Sequence, residues 1–425
     1  MWREGLAVAA GCQAQFVLIC GTGVLAARQR QLDAHTISQL SHFYLRFLMP
    51  CVVLQLNQVF TYGRTSAWSP VLLVAALHIA LGAALGRGGA AALRLRPPLT
   101  QCLTMICAFG NCGSLPFVLV LPIVKSWSST SADADAFGKG MGVIGLYLAA
   151  WFLVFFSCGT AYLSQIKPAD PPSPPADGAA DESVGRSLLA AAASPPPRCR
   201  QLCRGVRLDP ILAHMTASVC LGSFEPARAA LSDSGALAWL GTTVSSLGHA
   251  GVVLGTVILG GSLWEAHAAT HRLSPRHSPA PPSAPHVEMA EAVPPAATPA
   301  APSAAPPLAA VDAPRAEEER RYARRLVCAA VVTRLILLPL AAIPLNLCLL
   351  RLGCLPADEP MLMLVLHVMT GVPSSQTLVA VLIARGRPDL ASFVSQVYVP
   401  QYLLSIFTIA VLIVIAIFLT SEGPS

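Results

Sequence analysis

Apolar runs long enough to cross a bilayer recur along the whole chain, and they decide what it can fold into. A spanning helix needs about 20 mostly apolar residues. Runs of that kind lie near 5–26, 36–60, 69–93, 99–123, 138–164, 209–229, 235–264, 323–350, 359–384 and 391–420. The 209–229 run is the most dilute, because His214 and several small residues interrupt it. Only 12% of the 425 residues are charged and 54% are hydrophobic, where a soluble domain carries roughly 25% charged residues. So little polar surface cannot cover a globule in water. The expected fold is an all-α integral membrane protein of about ten transmembrane helices. Gln13 and Gln15 break the first run, and basic residues follow it rather than precede it, so it reads as a retained helix rather than a cleaved signal.

Two stretches have the opposite chemistry. Residues 166–208 and 265–320 hold 20 of the 36 prolines, in runs such as Pro171-Pro172-Ser173-Pro174-Pro175. Pro/Ala-rich sequence of this kind cannot bury a core and is expected to be disordered or extended. The domain reading follows: a first five-helix unit at 1–165, a linker at 166–208, two helices at 209–264, a linker at 265–320 and three helices at 321–425.

Orientation rests on Lys and Arg. Twenty of the 28 fall after odd-numbered helices, six lie on the opposite side, and Arg46 and Arg334 lie within helices. Basic residues stay on the cytosolic face, which puts both linkers in the cytosol and both termini outside it. The net charge of +6 therefore reports membrane sorting rather than a nucleic-acid partner. Most of the 13 cysteines sit singly in apolar runs, and the lone close pair, Cys199 and Cys203, has no second pair to complete a zinc site. No metal or cofactor is expected.

Two runs contain sequence that a continuous helix would not choose. The fourth reads Gly110-Asn111-Cys112-Gly113-Ser114-Leu115-Pro116, and the ninth reads Thr370-Gly371-Val372-Pro373-Ser374-Ser375-Gln376. Proline deletes a helical hydrogen bond and clashes with the preceding turn. Peptide groups freed in a bilayer are tolerated only where protein or a watery cavity satisfies them. For either break alone, a packed proline kink is an equal reading. Both, however, occupy the fourth position of a five-helix half, and matched interruptions are the best sequence pointer to a carrier's binding site. A half-helix beginning near Pro116 or Ser374 would aim its free N–H groups and positive dipole end at the membrane centre, a setting for an anion. The candidate substrate-binding residues are Asn111, Ser114, Pro116, Pro373, Ser374, Ser375 and Gln376.

Other polar residues admit blander roles. Gln55 and Asn57 suit the cavity or a neighbouring helix equally. Arg334, about ten residues into its helix, first suggests a buried structural partner and second a substrate counter-charge. His78, His214, His249 and His367 read as helix-packing donors. No Asp or Glu lies in the middle of any proposed helix, whereas cation-driven exchangers use a membrane-embedded carboxylate. Nucleophile-elbow, P-loop and His-Glu-x-x-His patterns are missing too, so no enzyme is expected.

These patches resemble the PIN-LIKES (PILS) branch of the auxin efflux carrier family. Gly110-Asn111-Cys112-Gly113-Ser114-Leu115-Pro116 is similar to that branch's Gly-Asn-x-Gly-Asn-Leu-Pro segment. Leu247-Gly248-His249-Ala250 and Leu259-Gly260-Gly261-Ser262-Leu263 resemble its Leu-Gly-x-Ala and Leu-Gly-Gly-x-Leu pattern, and Arg334-Leu335-Ile336-Leu337-Leu338-Pro339 its Arg-x-x-Leu-Leu-Pro stretch. Asp209-Pro210 stands where the family usually has Asn-Pro-Pro. The likeness covers both helical blocks but neither linker. It implies two inverted five-helix repeats whose fourth and ninth helices cross at their prolines, with elevator-like alternating access. It further implies an auxin substrate (indole-3-acetic acid) or a similar small organic anion, and residence in the endoplasmic reticulum, with the plasma membrane as alternative. Asn111 would bond the substrate carboxylate, and Pro116 and Pro373 would shape the crossing. Ser114 replaces the second asparagine, and Ser374-Ser375-Gln376-Thr377 departs from the family's stretch after the ninth-helix proline. Expected partners are the anionic substrate and membrane lipid, with a homodimer compatible. The rival readings are a cation-coupled symporter or antiporter of the same fold, and a membrane sensor that binds without transporting.

Overall fold

A computed structural model describes residues 2–58, 68–95, 97–112, 136–166, 210–232, 234–272, 313–356 and 359–421. Both proline-rich stretches lie largely outside these residues. The described residues are mostly helical and contain no strand beyond one isolated bridge. Its elements are α1 (Trp2–Arg28), α2 (Ala34–Phe43), α3 (Met49–Gln58), α4 (Trp68–Ala92), α5 (Leu99–Ala108), α6 (Ala136–Val154) and α7 (Thr160–Leu163). The second part holds α8 (Pro210–Ser223), α9 (Glu225–Leu231), α10 (Ala238–Arg272), α11 (Ala313–Val332), α12 (Leu338–Arg351), α13 (Pro360–Gly371), α14 (Thr377–Ala384) and α15 (Pro388–Ser421). Wide π-helical turns at Tyr44–Leu48, Phe155–Gly159 and Thr333–Leu337 join α2 to α3, α6 to α7 and α11 to α12 into continuous rods.

Six described segments are long and apolar enough to cross a bilayer: Ala34–Leu54, Pro70–Ala92, Gly142–Leu163, Ala238–Glu265, Arg324–Arg351 and Pro388–Ala416. The protein is an all-α membrane protein, as its apolar runs predict. The dilute 209–229 run forms α8 and α9, divided at Phe224, whose extended backbone precedes Glu225. Asp33 starts α2 by accepting the Thr36 N–H at 2.7 Å, the usual service of an N-cap carboxylate to an unpaired helix donor.

Two groups of helices pack side by side. In one, α10 lies along α1 and α3, and α8 lies on α3. In the other, α4 packs on α5 and α6, and α13 packs on α12 and α15, while α15 also reaches α1 and α10. Lipid-embedded helices gain nothing from apolar surface alone and associate by close approach, which small residues permit. A Cβ on Gly23 would lie 2.2 Å from the Val257 carbonyl oxygen, and one on Gly260 would lie 2.0 Å from that of Cys20. Only glycine allows α1 and α10 to touch backbone to backbone there. Gly82 plays the same part between α4 and α5, where a Cβ would meet the Cys107 carbonyl oxygen at 2.4 Å.

Candidate functional site

The ninth apolar run is broken, for a reason local to Pro373. The residue before a proline is pushed out of the helical region, and Val372 accordingly takes φ −68°, ψ 142° and ends α13. The chain stays out of helix through Ser375, and Gln376, already at φ −60°, ψ −23°, leads into α14. In the fourth run, α5 stops at Ala108, with Phe109 extended at φ −112°, ψ 97°. The 10 residues of α5 and the 12 of α13 rise about 15 and 18 Å at 1.5 Å per residue. Neither covers a hydrocarbon core of about 30 Å, so both end inside the membrane.

The two ends meet. Gly110 and Ser374 form an antiparallel bridge: the Asn111 N–H donates to the Pro373 carbonyl at 2.6 Å, and the Ser375 N–H donates to the Phe109 carbonyl at 2.9 Å. Each break thus supplies the hydrogen-bond partners that the other lacks, which is how unwound backbone survives away from water.

Arg334 fastens the crossing. The residue is 3% exposed. Nε donates to the Val372 carbonyl at 3.0 Å and Nη1 to the Cys107 carbonyl at 2.7 Å. These carbonyls stand at the C-terminal, partly negative ends of α13 and α5. One fixed cation therefore neutralises both half-helix ends, and no buried Asp or Glu stands among the described residues to compete for it. The structural reading of Arg334 holds, with backbone carbonyls as its partner. The Thr333–Leu337 turn carries it in.

The last helix supplies a second layer. Tyr402 Oη accepts a hydrogen bond from Asn111 Nδ2 at 2.9 Å and donates to the Ser374 carbonyl at 3.2 Å. The Ser374 N–H donates to Gln401 Oε1 at 3.1 Å, and Gln401 Nε2 reaches the Ala330 carbonyl at 3.2 Å. Tyr398 Oη donates to the Ser375 carbonyl. From α1, Phe16 stacks on the Tyr402 ring with centroids 4.2 Å apart.

Beside the crossing lies a cavity of about 30 Å³, its walls including Tyr44, Asn111, Trp151, Ser375, Gln376 and Thr377. Met49 and Val52 of α3 and Val252 of α10 close one side; Cys112 and the α6 residues Leu148 and Phe152 close the other. The cavity therefore lies on the seam between the two helix groups. Thr256 of α10 reaches across to Gln376 Oε1 at 3.4 Å. The Thr377 N–H at the start of α14 donates to Ser375 Oγ at 3.3 Å, which places the positive end of that half-helix at the cavity.

Of the candidate residues, the structure brings Asn111, Ser375 and Gln376 to this cavity. Ser374 and Pro373 belong to the crossing instead. Ser374 is fully buried, and its Oγ donates to the Ile106 carbonyl at 2.7 Å, while Pro373 contributes its carbonyl to Asn111. Ser114 and Pro116 lie outside the described residues, as do the side chains of Gln55 and Asn57. His78 bridges helices, reaching Asn346 Oδ1 at 2.9 Å and Tyr147 Oη at 3.3 Å, the packing role expected of it. The residues that sequence reasoning missed are Tyr398, Gln401 and Tyr402. A polar and tyrosine face within the otherwise apolar run 391–420 is the signal that marks them.

Two broken helices paired end to end, beside a small cavity with a few polar groups on a largely apolar wall, fit a membrane protein that handles a solute. A family model described as "Membrane transport protein" matches residues 13–413, and the chain belongs to that family. No curated protein matches the sequence.

Proposed function

We propose that this transport protein carries a small organic anion, auxin or an auxin-like carboxylate, by alternating access, and that it belongs to the PIN-LIKES branch and works in the endoplasmic reticulum membrane. One observation carries the reading: the cavity joins amide and hydroxyl donors of Asn111, Ser375 and Gln376 to the start of α14 without any acidic side chain on its wall. Preorganised neutral donors and a helix N-terminus suit a carboxylate. The crossing belongs entirely to one helix group, whereas Tyr44, Met49, Val52 and Val252 belong to the other. Sliding of the first past the second, as an elevator does, would carry the donors and their guest together. At about 30 Å³ the cavity has room for about two waters, so a guest enters only as the groups part.

The driving force is proposed to be the substrate gradient alone. Arg334 supplies a permanent cation at the crossing, where a cation-coupled carrier would need an ion and an acid to hold it. The test is flux of labelled indole-3-acetate and a panel of other carboxylates through the purified protein in liposomes, with sodium and pH gradients imposed separately. Saturable flux indifferent to both gradients is expected. Flux that requires either gradient would establish the coupled reading, and saturable binding with no flux would establish a sensor.

A further inference from the structure

Three buried side-chain polar atoms among the described residues lack a hydrogen-bond partner: Trp151 Nε1, Asn346 Nδ2 and His367 Nε2. Of these residues, only Trp151 lines the cavity. Trp151 is 2% exposed and its Nε1 is buried, so bulk water does not serve the N–H. Leaving a buried donor unpaired is costly, and native proteins rarely do so without cause.

The ring is held where it is. Trp151 stacks parallel to Phe155 with centroids 4.8 Å apart and an interplanar angle of 5°. Phe109 and Phe152 meet it edge-on at 5.6 and 5.1 Å. These contacts pack the indole on several sides. Phe109 is itself part of the crossing, since its carbonyl accepts the Ser375 N–H. The aromatic stack therefore ties the Trp151 donor to the same frame as Asn111 and Ser375. Asn111 Nδ2 spends one of its two hydrogens on Tyr402.

We infer that the Trp151 indole N–H is a substrate donor, reserved for an oxygen of the bound carboxylate. The inference rests on the cavity being the carrier's binding site, and it adds a residue from α6 to a site otherwise drawn from the two broken helices. It also favours cargo with a planar ring, because the wall beside the donor is aromatic and an offset or edge-on ring packs well there.

The test measures binding of indole-3-acetate to the purified full-length protein carrying one of two replacements at this position. Trp151→Phe removes the N–H and shortens the ring. Site-specific incorporation of benzothienylalanine replaces the N–H by sulfur with the bicyclic shape kept, so it also serves if the phenylalanine variant folds poorly. Both are expected to raise the Kd about tenfold to a hundredfold, the value of one hydrogen bond to a charged group. Wild-type affinity in the benzothienyl protein would overturn the inference, whether or not Trp151→Phe is weakened, because ring shape alone would then account for the residue. If the wild-type protein binds neither indole-3-acetate nor any other carboxylate of the panel, the proposed function falls and takes this donor with it.

Discussion

Arg334 fills the space that a side chain at position 110 would need: a Cβ built on Gly110 would lie 1.8 Å from Arg334 Nη2. Glycine and arginine are thus a matched pair. The first leaves room for the cation, and the second bonds the carbonyls on either side of the crossing.

Gly110→Ala should consequently displace the guanidinium from one or both carbonyls. Overpacking of this kind costs about 1–3 kcal/mol, and the loosened bonds add to it. Thermal unfolding in detergent should show a clear drop, with transport lost while some folded protein remains. An unchanged melting temperature would mean that the guanidinium has somewhere else to go.

Arg334→Met should be worse, because two buried carbonyls lose charged donors worth about 1.5–3 kcal/mol each. Arg334→Lys should fall between the two. An ammonium keeps the charge but lacks the planar fork that reaches both carbonyls in fixed geometry. Ranking the three proteins by melting temperature checks this order.

Asn111→Ala and Tyr402→Phe separate binding from support. Asn111 lines the cavity, so its truncation should slow anion transport about tenfold, one hydrogen bond's worth, while the protein stays folded. Tyr402→Phe removes the hydroxyl between Asn111 and the Ser374 carbonyl. It should cost about 1 kcal/mol of stability and slow transport less than the Asn111 change. Equal transport rates in wild type and Asn111→Ala would remove Asn111 from the site.

Gly260→Val should force α1 and α10 apart, because the new side chain would meet the Cys20 backbone. The expected loss is about 3 kcal/mol. Gly88, inside α4 and with nothing within 4 Å of its Cβ, is the control position, and Gly88→Ala should leave the melting temperature unchanged or slightly raised, since alanine favours a helix interior. Comparable losses at both positions would refute the close-approach account.

How much of this was legible beforehand depends on whether a residue's role was local. Pro373 announces its own break, because its ring dictates the conformation of Val372 whatever surrounds it. Asn111, Ser375 and Gln376 could be named because they adjoin the interruptions. Ser374 adjoins the same interruption, yet its hydroxyl turns to Ile106, a choice made by tertiary contact. Arg334 was recognisable as a buried cation needing a partner, but backbone carbonyls carry no residue identity from which to predict the match. Tyr402 and Gln401 were least visible: they lie in a long unbroken helix, and only folding brings them to a crossing made by residues 27 and more positions away. Trp151 reads as one more apolar residue until the space around it is known.

Each of the three π-helical turns bears a residue of the site or its frame: Tyr44 on the cavity wall, Phe155 stacked on Trp151, and Arg334 at the crossing. A turn of this type holds one residue more than regular pitch requires, so it acts as slack in an otherwise inextensible rod. Excising a single residue there lets the rod close to standard pitch with both flanks still facing their neighbours. The same excision elsewhere would rotate everything downstream by about 100°. Length changes in these three spans should therefore be survivable at the heart of the protein and ruinous toward its ends, the reverse of what is usual for a folded chain.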